Sequence, residues 1–155
     1  MFLLDILYGG ELMEIETLKK MANNKCNWRE RLEAVKRLKN IDCQQSRDII
    51  TRLAIYDPVF KVKEAAFRVA QLFGIKKNGK EIYLGKKQKG NLVKGIGKKL
   101  CKVRDSLSEE FAVDEFKEKF KQMYPGAYDI YDGDKGDKLN SWLERVIPLL
   151  PKKKQ

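Results

Sequence analysis

The chain has 155 residues, of which 43% are hydrophobic, so it can fold as one domain or two small ones and is not a disordered protein. Histidine is absent, and the three cysteines are widely spaced without a CxxC pair. This composition argues against a structural zinc site and favours reduced thiols in the cytoplasm. The formal net charge is +11, and residues 76–105 hold 11 basic but only 2 acidic side chains.

The first twelve residues have two interpretations. Their apolar run is short, contains Asp5 and lacks a positive start, so it predicts neither a signal peptide nor a membrane span. Gly9-Gly10-Glu11 before Met13 is what a bacterial ribosome-binding sequence would encode if translated, and in this interpretation Met13 is the start of a bacterial protein. In the alternative, residues 1–12 form an apolar arm that packs on the first helix.

Three amphipathic helices are predicted before residue 57. The first covers residues 11–22, the second follows a cap at Asn27 with Glu30 completing an approximate capping box, and Ser46 starts the third. Apolar residues at helical spacing are expected to face inward. They are Leu12, Ile15, Leu18, Met21, Trp28, Leu32, Val35, Leu38, Ile49, Ile50, Leu53 and Ala54.

A fourth helix is predicted over residues 58–73. Asp57 is expected to cap it, Pro58 to occupy its first position and Gly74 to end it in a left-handed conformation. Its inward stripe is predicted to be Val59, Val62, Ala65, Ala66, Val69 and Phe73.

This fourth helix resembles the first helix of a HEAT repeat. The resemblance rests on Asp57-Pro58-Val59, Val62-Lys63, Ala65-Ala66 and Leu72. Residues 31–38 align with residues 62–69 at an offset of 31, and Glu33, Ala34 and Arg37 match Glu64, Ala65 and Arg68. The resemblance implies a short α-solenoid of antiparallel helices, with a period below the roughly 40–47 residues of most HEAT repeats.

Residues 75–82 place Asn78-Gly79 between short lysine-rich flanks. Such a pair predicts a tight hairpin, because both residues accept the positive φ of its turn. A mobile loop fits the same lysine-rich stretch equally well.

From Gly90 a basic helix is predicted. Its inward residues are expected to be Leu92, Val93, Ile96, Leu100 and Val103. On the opposite side Lys94, Lys98 and Lys102 form a stripe. Gly95 and Gly97 are each expected to weaken this helix by about 1 kcal/mol relative to alanine.

The remaining residues predict a short extended piece at 110–113, a helix capped by Asp114, a loop over 128–136 and a last helix capped by Asp137. Expected inward residues are Phe116, Phe120, Met123, Tyr124, Leu139, Trp142, Leu143, Val146 and Ile147. Through FAVDEFKEKFKQMYP and DKLNSWLERVI, residues 90–150 resemble a helix-turn-helix or winged-helix module. A purely structural cap for the solenoid fits the same pattern.

Catalysis and metal binding have little support in the sequence. The commonest general base, histidine, is absent, and GIGKK lacks the spacing of a phosphate-binding loop. The acidic residues that suggest a calcium loop are Asp132, Asp134, Asp137 and Glu144. If Asp132 is the first loop position, Gly136 is the fifth, whereas the calcium loop of an EF-hand has its glycine at the sixth position. We therefore expect no enzymatic activity, no cofactor and no metal.

The lysine-rich segment is the strongest indication of function. Phosphate binding needs cations on a surface that follows a backbone, and lysine favours backbone contact over base reading. The expected contacts are Lys86, Lys87, Lys89, Lys94, Lys98, Lys99, Lys102, Lys138 and Arg145. We expect a non-enzymatic cytoplasmic protein that binds nucleic acid, with DNA favoured. The alternatives are a HEAT-type scaffold for an acidic protein partner and a solvated linker whose charge only aids solubility.

Together these patterns predict an all-α protein without a membrane segment. A HEAT-like helical layer is expected over residues 1–75 and a basic linker over residues 76–90. The basic helix and a helix-turn-helix-like bundle are expected over residues 91–155.

Overall fold

The structure, a computed structural model, describes residues 14–152. The chain is all-α. In the described residues the sheet is a single hairpin of two strands, each two residues long. It divides into two compact units, Met1–Lys86 and Lys87–Gln155, called here the N-terminal and C-terminal units. Residues 76–86 of the expected linker thus group with the N-terminal unit. The two interpretations of residues 1–12, and the question of Met13 as the start, fall outside the described residues.

The N-terminal unit contains helices α1 (described over 14–22), α2 (Trp28–Leu38), α3 (Gln44–Tyr56) and α4 (Phe60–Leu72), followed by strands β1 (Lys76–Lys77) and β2 (Lys80–Glu81). Its core confirms most of the predicted inward faces of these helices. The core residues include Ile15, Leu18, Trp28, Val35, Leu38, Ile50, Leu53, Val62, Ala66 and Val69. Met21, Leu32, Ala65 and Phe73 are partly buried against that core.

Helix α2 begins as its sequence predicts, with one difference. The side chain of Asn27 accepts a hydrogen bond from the backbone N–H of Glu30 at 3.1 Å. A capping box would turn the Glu30 carboxylate back to Asn27, whereas here that carboxylate accepts from the side-chain amide of Asn24 at 2.7 Å.

Two details of the start of α4 were predicted wrongly. The helix begins at Phe60 after Val59, so Asp57 is not its cap and Pro58 is not its first residue. Asp57 Oδ1 accepts the backbone N–H of Val59 at 2.9 Å, and both carboxylate oxygens of Asp57 accept from the guanidinium of Arg31 in α2. A buried cation 26 residues away therefore decides where this carboxylate points.

The end of α4 confirms the role predicted for Gly74. This residue has φ +64°, and its N–H donates to the carbonyl of Gln71 at 3.1 Å. The N–H of Ile75 donates to the carbonyl of Ala70 at 2.9 Å. The pair of bonds is a Schellman motif, which needs a left-handed residue at this position.

Gly74→Ala is expected to destabilise the N-terminal unit by about 1–2 kcal/mol, the cost of a left-handed alanine. A Cβ at this position would meet no atom within 4 Å, so the cost comes from the backbone alone. Urea unfolding should show the loss, and Gly74→Asn should lose less because asparagine tolerates this conformation. Unchanged stability in Gly74→Ala would contradict this account of the helix end.

Of the two structures offered for residues 75–82, the hairpin is the one formed. Strands β1 and β2 are antiparallel, with Lys76 opposite Glu81 and Lys77 opposite Lys80. Asn78 and Gly79 have φ +54° and +76°, as a type I′ turn requires.

The C-terminal unit contains α5 (Ile96–Asp105), α6 (Val113–Met123), α7 (Pro125–Lys135) and α8 (Leu139–Val146). Its core is formed by Ile96, Leu100, Val103, Phe116, Phe120, Ala127, Tyr131, Leu139 and Leu143. Leu92, Val93, Met123, Tyr124, Trp142, Val146 and Ile147 are partly buried against it, so the predicted inward faces lie inward or at the core's edge.

The loop predicted over residues 128–136 is wrong, because residues 125–135 form helix α7. Pro125 stands at its first position, where the missing N–H costs nothing. Ala127 and Tyr131, four residues apart, are buried and give α7 an inward face. The caps predicted at Asp114 and Asp137 are also wrong: α6 starts after Ala112, and a short 3-10 turn precedes α8.

Candidate nucleic-acid interface

Helix α5 carries the centre of the predicted lysine stripe. Ile96, Leu100 and Val103 are buried at 5%, 1% and 0% exposure, so the helix faces its own core with this side. Lys98 and Lys102 lie one turn apart on the opposite side, and both are exposed. The structure thus brings these two lysines together in solvent.

Lys94 does not belong to the helix, contrary to the prediction. Gly95 adopts a left-handed conformation with φ +73° directly before the first residue of α5. Residues 92–95 therefore form bends and a turn, and Lys94 is exposed in the turn that leads into the helix. Gly95 does not weaken the interior of α5, because it lies outside the helix and supplies a conformation that glycine adopts at little cost.

The other lysines predicted to contact nucleic acid near α5 differ in their exposure and in their contacts with other side chains. Lys89 is exposed ahead of the helix. Lys99 is half-buried, with its amino nitrogen 5.4 Å from the centre of the Tyr124 ring. Lys86 is exposed and falls in the N-terminal unit.

Lys87 already has an anionic partner. Its amino nitrogen lies 2.9 Å from one carboxylate oxygen of Asp134, and that of Lys135 lies 3.2 Å from the other. Burial raises the pKa of Asp134, but the hydrogen bonds and charges of the two lysines outweigh it and leave that pKa lowered. Lys87 would have to leave this pair to contact a phosphate.

Arg145 lines a groove of ≈ 560 Å³ between α5, α7 and α8. Its other lining residues include Gly97, Tyr131, Lys135 and Trp142. The rings of Tyr131 and Trp142 stack with centroids 4.7 Å apart, and the Tyr131 hydroxyl accepts the backbone N–H of Leu92 at 3.0 Å. Sequence reasoning missed Lys135 and this aromatic pair because it placed residue 131 in a loop.

The predicted residues therefore do not share one face. Gly97 of α5 lines this groove together with Arg145 of α8. Lys98 projects about 100° away from Gly97 around the axis of α5 and does not line the groove, so Lys98 and Arg145 lie on different surfaces of the unit. Lys138 is exposed in the 3-10 turn before α8.

Charge is also unevenly placed in the C-terminal unit. Residues 87–155 contain 16 basic and 11 acidic side chains, a net charge of +5. The acidic residues of α6, namely Asp114, Glu115 and Glu118, are exposed. In residues 87–152 the ion pairs involve Lys87, Lys135 and Arg104, and none involves Lys89, Lys94, Lys98 or Lys102. We call these last four residues the lysine surface.

The described residues contain no group of three or more His, Cys, Asp or Glu side chains placed to hold a metal ion. Between residues 14 and 152, no helix is both long and apolar enough to cross a membrane. Comparison of the chain with protein-family models, curated proteins and solved structures finds no match.

Proposed function

We propose that this chain binds nucleic acid, with duplex DNA favoured, through the lysine surface of the C-terminal unit. One observation supports the proposal above the others. Lys89, Lys94, Lys98 and Lys102 are exposed, and their charges are not neutralised by ion pairs within the described residues. Four such cations within fourteen residues suit the phosphates of a nucleic-acid backbone.

The chemistry of these side chains favours contact with the backbone. A lysine amino group is a point charge that contacts phosphate without demanding one geometry, whereas arginine forms the two-bond contact that identifies guanine. We therefore propose binding with little preference for base sequence. Four neutralised phosphates would give a strong dependence of affinity on salt.

We further propose a non-enzymatic role in the cytoplasm. The chain has no histidine, and its three cysteines, all between residues 14 and 152, are free thiols. Free thiols suit a reducing compartment.

Changing Lys94, Lys98 and Lys102 together to glutamine should weaken duplex binding across all base sequences. Each lysine releases about one counterion per phosphate contact, so the slope of log K against log salt should fall by about 2–3. The fold should survive, because all three side chains are exposed. Fluorescence anisotropy with a labelled duplex at several salt concentrations measures both quantities.

Helix α6 offers a control that is matched in charge. Changing Lys117, Lys119 and Lys121 to glutamine removes the same charge from the same unit, but on a helix that also carries Asp114, Glu115 and Glu118. The α6 variant should keep most of the salt slope. Equal losses in both variants would mean that net charge alone attracts DNA, and the lysine surface would then not be the binding site.

The same titration separates the scaffold alternative. A scaffold for an acidic protein would show no nucleic-acid affinity at physiological salt, while the three lysines would still matter for capture of its protein partner. Affinity of the unaltered chain for duplex, lost when Lys94, Lys98 and Lys102 are changed together, supports DNA binding.

A further inference from the structure

The N-terminal unit has a groove along one side of α3. Its helical wall is Gln44, Arg47, Asp48, Thr51, Arg52, Ile55 and Tyr56, and the facing wall is Gly74, Ile75, Lys76 and Lys77. The groove has a volume of ≈ 450 Å³. The seven α3 residues recur at alternating steps of three and one, so they form a straight stripe about 18 Å long. We call this feature the α3 groove.

Three cations of the α3 groove have no carboxylate partner among the described residues. Arg52, Lys76 and Lys77 take part in none of the ion pairs of the described residues. Arg52 donates to the side-chain oxygen of Asn23 at 2.6 Å, which fixes its guanidinium without neutralising it. Lys76 and Lys77 are exposed in β1.

The two other charged side chains that line the groove, Arg47 and Asp48, do not cancel this excess. Arg47 is paired with Asp42 through contacts of 2.7 and 3.0 Å, and the hydrogen bond from Arg47 lowers the pKa of Asp42. Asp48 accepts from the side-chain amide of Gln44 at 2.8 Å. With three unpaired cations and the one carboxylate of Asp48, the groove therefore has a net charge of about +2.

An exposed aromatic ring stands at the end of the α3 groove. Tyr56, the last residue of α3, is 69% exposed. The amino nitrogen of Lys77 lies 3.4 Å from its hydroxyl oxygen and 5.2 Å from its ring centre. Although Lys77 lies over this ring, Tyr56 is largely solvated, so a free nucleobase can stack on the ring while its phosphate meets a nearby cation.

We propose that the α3 groove binds an unpaired nucleic-acid strand, with phosphates on Arg52 and Lys76 and a base on Tyr56. The inference rests on the proposed function and adds a second binding site, which prefers unpaired strands to duplex DNA. In a duplex the base faces are covered by stacking, so only an unpaired strand offers both groups that this groove can engage.

The test uses the full chain and a labelled oligothymidylate of about ten nucleotides. Tyr56→Ala should weaken its binding roughly 5- to 150-fold, the range found for the loss of one stacked base. Arg52→Gln with Lys76→Gln should reduce the salt slope by about 1.4, as expected for two contacts to a single strand. Because these side chains are exposed or at the groove wall, circular dichroism melting should show both variants folded.

Matched controls come from the same unit. Tyr83 is 86% exposed but does not line the groove, so Tyr83→Ala should leave oligothymidylate binding within about twofold of the unaltered chain. Lys36→Gln with Arg68→Gln removes one lysine and one arginine that are exposed on α2 and α4 outside the groove. This pair should change the salt slope much less than the groove pair.

Failure of this inference can be told apart from failure of the proposed function. If duplex binding depends on the lysine surface but Tyr56→Ala and the groove pair bind oligothymidylate as the unaltered chain does, the α3 groove is not a site. A larger loss in Tyr83→Ala than in Tyr56→Ala would also overturn it. If the unaltered chain binds neither duplex nor single strand, both proposals are wrong.

Discussion

Asp57→Ala is expected to destabilise the N-terminal unit by about 3–5 kcal/mol, a large share of the stability of a small domain. The side chains of Arg31 and Asp57 are only 3% and 1% exposed. Two bonds join them, from Arg31 Nε to Asp57 Oδ2 at 2.8 Å and from Arg31 Nη2 to Asp57 Oδ1 at 3.2 Å. Removal of the carboxylate takes two charge-assisted bonds away from a guanidinium that lies almost entirely out of water.

The pair also ties three parts of the chain together. Arg31 Nη1 donates to the carbonyl of Asn24, in the turn before α2, at 2.8 Å. Asp57 holds the N–H of Val59 directly before α4. Loss of the Asp57 carboxylate therefore removes both the charge partner of Arg31 and the acceptor for the backbone N–H of Val59, so the cost should exceed that of a simple ion pair.

Urea unfolding followed by circular dichroism measures this effect. Arg37→Ala is the control, since Arg37 pairs with Glu33 at 3.2 Å while both side chains are about half exposed at 51% and 46%. That change should cost less than about 1 kcal/mol. Adding Arg31→Met to Asp57→Ala should recover part of the loss, because the buried cation is then removed together with its carboxylate. A loss in Asp57→Ala no greater than that in Arg37→Ala would contradict the buried pair.

Ala66→Asp is expected to unfold the N-terminal unit. Ala66 has 0% exposure on α4, between Val62 at 0% and Val69 at 6%. Helix α4 packs against both α2 and α3, so a side chain at this position has no route to water. A carboxylate there would be buried without a partner, at a cost of about 5 kcal/mol or more.

Arg68→Asp is the control on the same helix. Arg68 is 73% exposed and lies 3.7 Å from Glu64 in a solvated pair, so its replacement should cost about 1 kcal/mol or less. Thermal unfolding by circular dichroism compares the two variants. A melting temperature of Ala66→Asp within a degree or two of the unaltered chain would show that the inward face of α4 is assigned wrongly.

Helical periodicity predicted the inward faces because burial follows local spacing. Val62, Ala66 and Val69 recur at steps of four and three, and all three are buried. The same logic placed Lys98 and Lys102 in solvent, opposite the buried side of α5. The resemblance to a HEAT repeat stays a prediction, since no comparison tests it.

Features that depend on partners far along the chain could not be predicted. Asp57 precedes a proline and a helix, so it fits a local cap, but its carboxylate is captured by Arg31 from another helix. The α3 groove likewise arises only when β1 is brought beside α3. Neither Arg52 nor Tyr56 has a local signal that would identify it as part of a site.

Errors in the C-terminal unit came from composition. Residues 128–136 contain three aspartates and two glycines, which is typical of a loop, yet Ala127 and Tyr131 supply enough apolar contact to hold α7 in helix. At Gly95 a helix was predicted where the structure has a turn, because the helical spacing of apolar residues extends from α5 back through that turn. Local preference was overridden by packing in one case and by a left-handed backbone in the other.

Titration of the unaltered chain with labelled duplex DNA, single-stranded DNA and RNA at two salt concentrations tests nucleic-acid binding most directly. With the four cations of the lysine surface on phosphates, the logarithm of the duplex affinity should fall against log salt with a slope of about −3 to −4. No measurable affinity for any of the three at physiological salt, or an affinity independent of salt, would contradict nucleic-acid binding by this chain.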